Sequence, residues 1–205
     1  MIAGVVLAAG RGLRFGSQKL LHEVDGRPLL LHTVCAAVRS RLDEVHVVIA
    51  EGDRAVATVV SAAVASTPYA VVHHNGRPER GMMSSLKIAL RSLAGRANAA
   101  VVMLGDMPQV QWTLIDALVS TYERRGGVVI PVSGGVWRHP RVIPARLFDE
   151  FLALPDDARG ASVLERYDDD VTLVSGGSAE RYLDVDRRGD IEALHPHPGG
   201  EPSRN

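Results

Sequence analysis

The sequence predicts an α/β fold: an open parallel sheet with helices on both faces. Three observations predict it. Five short apolar runs, "IAGVVLA", "EVHVVIA", "YAVVHH", "AAVVMLG" and "GGVVIPV", are rich in β-branched residues and lack strict alternation, as expected of strands covered on both faces. Four longer stretches, "RPLLLHTVCAAVRS", "GDRAVATVVSAAVAS", "SSLKIALRSLAG" and "QWTLIDALVSTYERR", are amphipathic at helical spacing. The two kinds alternate, and strand–helix–strand alternation is how a parallel sheet is wound.

The elements follow in order. The first run ends in a glycine-rich stretch, residues 8–16, and the first helix opens near Pro28, a residue that fits a first helical turn. Asp53 opens the second helix, and Gly95 and Gly126 follow the ends of the third and fourth, the expected polarity of start and stop signals. In the third helix, Ser84 or Ser85 is the expected N-cap. After Val132 the rhythm changes: "SGGVWRHPRVIP" reads as a turn and short strand, "ARLFDEFLAL" as a helix, "VTLVSG" and "RYLDVD" as late strands, and "RRGDIEAL" as a last helix. Residues 195–205, "HPHPGGEPSRN", have no apolar period and are expected to form a disordered tail behind a single domain over residues 1–194.

Composition narrows the function classes. Hydrophobic residues make up 46% of the 205 residues and charged residues 23%, enough apolar material for a real core. The net charge of −1 gives no basic field to hold a nucleic acid, so any phosphate must be met by local groups. Cys35 is the single cysteine, which excludes an intrachain disulfide and a cysteine-based zinc cluster, and its setting predicts a core position. No apolar run has the length of a membrane span, and the first lacks the basic flank of a signal peptide, so a cytoplasmic setting without membrane contact is expected.

Three stretches carry chemistry. The first is "LAAGRGLRFGSQK", residues 7–19. A dinucleotide-binding turn needs Gly-x-Gly-x-x-Gly, but Gly10, Gly12 and Gly16 are one residue too far apart, and "GSQK" is not the Gly-Lys-Ser/Thr of a Walker loop. What remains is a glycine-rich turn with Arg11, Arg14 and Lys19 close by. Backbone N–H groups plus several cations suit a triphosphate, although the same residues would also serve as a solvated surface turn. The second stretch is "LGDMP", which puts Asp106 at the carboxyl end of a buried strand, where parallel sheets bind ligands. There it is either a Mg²⁺ ligand beside phosphates or the cap of the next helix. The third is "LDVDRRGDI". On a strand, Asp184 and Asp186 share a face and repel unless a cation joins them; otherwise one caps the helix that follows. His73 and His74 end the third strand and could reach a ligand, whereas His195 and His197 fall in the tail.

"LAAGRGLRFGSQK", "GMMSSL", "LGDMP" and "LDVDRRGDI" together resemble, in order and spacing, the MobA-like NTP transferases, and among them the cytidylyltransferases that act on molybdopterin. The resemblance spans residues 2–194. It implies a single Rossmann-like three-layer α/β domain with a mostly parallel sheet. It further implies a nucleotide held by Leu7, Ala8, Ala9, Gly10, Gly12, Arg14, Lys19, Ser84 and Ser85, with Lys19, Arg14 and Asp106 as catalytic residues. Mg²⁺ would sit on Asp106 and Asp186, with Asp184 as the second choice, and His139 and Pro140 would line the acceptor pocket. Met83 replaces a glycine frequent in the family, and Arg138 replaces the glycine of a Gly-His-Pro segment.

The implied reaction transfers CMP from CTP to the phosphate of molybdopterin and releases pyrophosphate. CTP is read from Leu-Ala-Ala-Gly, where guanine-using relatives have Leu-Ala-Gly-Gly. A molybdoenzyme or its maturation factor is the implied protein partner. Other readings within the resemblance are guanylyl transfer, nucleotidyl transfer to another phosphorylated acceptor, and an NAD(P)H-dependent oxidoreductase acting on nicotine-derived pigments. If two carboxylates share one cation, neutralising Asp106 is expected to hold or raise stability in its absence.

Overall fold

The computed structural model describes residues 1–10, 15, 18–178, 182–185 and 187–193. Gly12, Arg14 and Asp186, together with Arg11, Gly16 and residues 194–205, lie outside the described residues. The first half of the chain runs β1 (Ile2–Ala8), the two-residue strands β2 (Glu23–Val24) and β3 (Arg27–Pro28), α1 (Leu29–Arg39), β4 (Glu44–Ala50), α2 (Arg54–Val64) and β5 (Ala70–Asn75). Then come α3 (Met82–Leu93), β6 (Ala99–Leu104), α4 (Trp112–Arg125), β7 (Val128–Ser133), β8 (Val136–Trp137) and β9 (Arg141–Pro144). The chain continues through α5 (Phe148–Ala153), α6 (Ala161–Glu165) and β10 (Val171–Ser175) to α7 (Arg188–Ala193).

The main sheet has the order β10-β7-β9-β6-β1-β4-β5, with β8 paired to β7. β1 is central and parallel to both β4 and β6. All seven of its residues are buried, which is why its sequence shows no polar alternation. Ile2, Val6 and Ala8 pack with Val34 of α1, Val60 of α2 and Leu118 of α4 on one face. Ala3, Val5 and Leu7 pack with Leu90 of α3, Phe151 of α5 and Leu164 of α6 on the other. These are the three layers, and no helix among the described residues is long and apolar enough to cross a membrane.

The sheet is mostly parallel, as expected, and its main exception is β9, which is antiparallel to β6 and β7. β9 follows β7 through only the 134–140 turn and β8, too few residues for a crossover helix, so the chain must return antiparallel. "RYLDVD" is also not a strand over its described residues. Its apolar residues act as plugs instead. Tyr182 is buried with its hydroxyl donating to the Gly176 carbonyl at 2.9 Å, and Val185 packs with Phe15, Val24 and Leu29. Cys35 is half-buried rather than in the core, because Val34, Ala36 and Ala37 take the inward positions of α1.

The order of crossovers places the ligand crevice. From β1 the chain winds outward to β4 and β5, then returns through α3 to β6 on the other side of β1. The carboxyl ends of β1 and β6 therefore lie side by side at a switch point, the usual ligand position in open α/β sheets. Leu7 is in register with Leu104, and the Gly105 N–H donates to the Leu7 carbonyl at 2.9 Å. A Cβ on Gly105 would lie 3.1 Å from that carbonyl oxygen and 2.8 Å from Leu30 Cδ1. We expect Gly105→Ala to lose about 1–3 kcal/mol, the usual cost of overpacking, measured by urea unfolding; an unchanged midpoint would show that the strand ends separate easily.

Candidate active site

Two segments bring their functional side chains together at this switch point. Asp106 leaves β6 on a turn held from below by Thr33 of α1, which is fully buried and whose hydroxyl lies 3.3 Å from the Leu104 carbonyl and 3.2 Å from that of Met107. Lys19 begins a single 3₁₀ turn, Lys19–Leu21, anchored by buried Leu20. Gln18, just before it, donates to Asp53, the residue that caps α2 through the Val56 N–H. Lys19 Nζ donates to Asp106 Oδ2 at 2.8 Å, with 8% and 24% of the two side chains exposed. Asp106 is not a helix cap, since α4 starts at Trp112 with Gln111 in the cap position.

Leu7, Ala8, Ala9, Gly10, Lys19, Ser85 and Asp106 line one cavity of about 220 Å³. Leu20, Pro78, Gly81, Met82 and Leu104 complete its wall; of these, Gly81 and Met82 fall in the "GMMSSL" segment, and no sequence signal marked Pro78. Ser84 lies outside this cavity and lines a shallower cleft with Arg77, Arg80 and Arg91. Asp184 is exposed, and its neighbour Val185 donates its N–H to the Asp106 carbonyl at 3.1 Å. The late acidic segment is thus tied to the turn that carries Asp106.

Among the described residues, Asp106 Oδ1 is buried and has no hydrogen-bond partner. A buried carboxylate oxygen left bare is costly, and the hard oxygen suits a divalent cation. Among the described residues no group of three or more His, Cys, Asp or Glu could hold a metal ion. One or two carboxylates, completed by phosphate oxygens and water, match the donor set Mg²⁺ usually takes.

The start of α3 differs from the sequence expectation. The helix begins at Met82, and its N-cap is Gly81 at φ 102°, with no side-chain cap. Ser84 and Ser85 lie inside the first turn. Their hydroxyls accept from Asn75 Nδ2 at 2.9 and 2.8 Å, while Asn75 Oδ1 accepts from the Arg77 N–H. Asn75 is the buried end of β5, and it fixes the helix start that walls the cavity. A polar residue closing an apolar run was the available signal. His73 and His74 line neither cavity; His73 stacks on buried His46, which also bonds Glu44.

A second cavity of about 330 Å³ adjoins the first and shares Leu7, Gly81 and Met82 with it. His139 lines it, whereas Pro140, joined to His139 by a cis bond, is buried and outside the lining. Burial, and secondarily the Arg141 charge, push the His139 pKa down to about 3. The ring is therefore neutral at physiological pH.

Residues 4–171 match the MobA-like NTP transferase domain. The bifunctional protein GlmU of Anaeromyxobacter dehalogenans (strain 2CP-C) is 33% identical over 162 residues, covering 73% of this chain and 32% of GlmU, so the chain spans about a third of that relative's length. A probable molybdenum cofactor guanylyltransferase of Thermococcus gammatolerans is 31% identical over 126 residues, covering 60% of this chain and 58% of that protein. A solved structure, a nucleotidyl transferase from Methanothermobacter thermautotrophicus, is similar with a TM-score of 0.76 at 25% identity, covering 95% of each chain.

The His139 shift fixes the sign of a pH effect. The unfolded ring takes a proton near its ordinary 6.5, whereas the folded ring stays neutral down to about 3. The stability it permits is whole above pH 6.5 and drains as pH falls between those values, by at most about 1.4 kcal/mol per pH unit. His139→Gln should therefore lose less stability than the parent between pH 7.5 and 5.0 in urea unfolding; parallel losses would mean the ring protonates freely when folded.

Proposed function

The chain belongs to the MobA-like NTP transferase family, and on that footing we propose that it transfers CMP from CTP to the phosphate of a molybdopterin-type acceptor, releasing pyrophosphate with Mg²⁺ as cofactor. The observation that carries this reading is the Lys19–Asp106 pair at 2.8 Å, beside the Ala8–Gly10 turn, with Asp106 Oδ1 bare. It supplies one fixed cation and one fixed anion where a triphosphate and a divalent cation need them.

In this reading an acceptor phosphate oxygen attacks the α-phosphorus of CTP, the bond to the β-phosphate oxygen breaks, and pyrophosphate leaves. Both reactants are anions, so the barrier is largely electrostatic and positional. Lys19 places its ammonium on the phosphates, and Asp106 holds that ammonium in register. Arg14 of the glycine-rich loop neutralises the leaving pyrophosphate. The turn from Leu7 to Gly10 seats the base, and Ser85 stands at the cavity wall for the ribose or base. A Mg²⁺ ion on Asp106, with Asp186 or Asp184 as second carboxylate, would supply charge neutralisation at the α-phosphate. A phosphate nucleophile is already ionised at neutral pH, so no side chain has to act as base.

CTP is favoured because Ala9 keeps a Cβ at the buried turn where the base approaches. One methyl group discriminates by about 1–3 kcal/mol at most. The guanylyltransferase of Thermococcus gammatolerans favours GTP as the second reading. Pyrophosphate release measured with each nucleotide and reduced molybdopterin separates the two. Release with CTP supports the proposal, and release with GTP alone replaces it.

Two variants probe the pair. Lys19→Ala should weaken CTP binding and turnover together, by about tenfold or more for a lost charge-assisted contact; unchanged kinetics would confine the loop to folding. Asp106→Asn should abolish Mg²⁺-dependent transfer. Because Asp106 partners a buried Lys19, that variant should also lose stability, by about 1–3 kcal/mol, and the expected gain from relieved repulsion is withdrawn.

A further inference from the structure

The second cavity is lined by a cation, Arg141, that has no ion-pair partner among the described residues. Arg141 opens β9 and lines the cavity half-buried. Its Nε donates to the Arg138 carbonyl at 3.0 Å and its Nη2 points to the Trp137 carbonyl at 3.5 Å. Among the described residues no carboxylate lies within ion-pair distance of it, and Nη1 makes no hydrogen bond. Glu165 supports the charge only from farther away. Asp156 and Asp157 line the cavity together with a second cation, Arg159; Asp156 is occupied by Lys87 and Arg80, and neither carboxylate pairs with Arg141 among the described residues. Burial raises the cost of keeping this guanidinium charged, and its unused face is open to an anion.

The remaining walls have a different character. Met83, Leu86, Val102, Ile143, Phe151 and Leu164 make most of the lining apolar. A sugar buried there would leave hydroxyls without partners, each at a real desolvation cost. An aromatic or otherwise hydroxyl-poor body would instead meet polarisable thioethers and a ring. Neutral His139 adds a donor or acceptor at the wall without adding charge.

Building on the transferase reading, we propose that Arg141 is the specificity residue for the acceptor, holding an anionic group on a hydroxyl-poor, aromatic acceptor body seated in the second cavity. The shared rim of Leu7, Gly81 and Met82 then lets the acceptor's reacting phosphate reach the nucleotide crevice. A planar Arg fork against a carboxylate or phosphate supplies two parallel hydrogen bonds, which a lysine cannot reproduce.

The test is calorimetric titration of two probes into the parent, Arg141→Met and Arg141→Lys proteins. The probes are pterin-6-carboxylate, a planar heteroaromatic carboxylate, and glucosamine 1-phosphate, a hydroxyl-rich phosphate. The parent should bind pterin-6-carboxylate more tightly than glucosamine 1-phosphate. Arg141→Met should weaken pterin-6-carboxylate at least tenfold and Arg141→Lys should fall between, while CTP affinity stays the same in all three, which also reports that they fold. Equal pterin-6-carboxylate affinity in the parent and Arg141→Met, no binding to the parent, or a parent preference for glucosamine 1-phosphate would overturn the proposal. If CTP is neither bound nor turned over while pterin-6-carboxylate still depends on Arg141, the transferase reading fails and the cavity assignment stands.

Discussion

The ion pair between Lys19 and Asp106 joins residues 87 positions apart, and the crevice takes its shape from it. The pair can form only because β1 and β6 are adjacent and parallel, with Leu7 and Leu104 in register and no side chain on Gly105 to push them apart. Thr33 fixes the Asp106 turn from the core, and Leu20 fixes the Lys19 turn. One carboxylate oxygen is spent on the ammonium and the other is left bare. In the proposed function such a pair would share its charges: a triphosphate would draw on Lys19, and the bare oxygen would accept the cation that comes with it.

Much of this was legible in the sequence, for definite physical reasons. β1, β4 and β6 are buried on both faces, so their runs carry no polar alternation and stand out. Asp106 could be placed at a strand end because a charged residue cannot extend such a run. The late segment reads as a strand in sequence because Leu183 and Val185 alternate with Asp184 and Asp186, yet Tyr182 and Val185 fill holes in two separate clusters. The serines before "LKIAL" looked like a cap. The true N-cap is Gly81, whose positive φ turns the chain before Met82, and the serines are held from Asn75 at the end of β5. In sequence Asn75 shows only as a polar residue closing an apolar run, with nothing local to say which side chains it bonds.

The second cavity was less legible. It is assembled from Leu7, Val102 and residues within 81–86, 139–143 and 151–164, which no sequence window spans. The resemblance pointed to His139 and Pro140, and one of the two lines the cavity. Arg141, two residues on, is a charged residue at the start of a short strand, and in sequence it reads as ordinary surface. What sets it apart is that no carboxylate among the described residues pairs with it, and that is a property of the fold.

The most direct measurement of the central claim is calorimetric binding of a non-hydrolysable CTP analogue, with and without Mg²⁺, to the parent and to Asp106→Asn. If Lys19 meets the phosphates and the bare oxygen of Asp106 meets the cation, the parent binds the analogue more tightly with Mg²⁺. Asp106→Asn should then lose that increment while keeping the binding seen without Mg²⁺. An Asp106→Asn protein that retains the full Mg²⁺ increment would contradict the account.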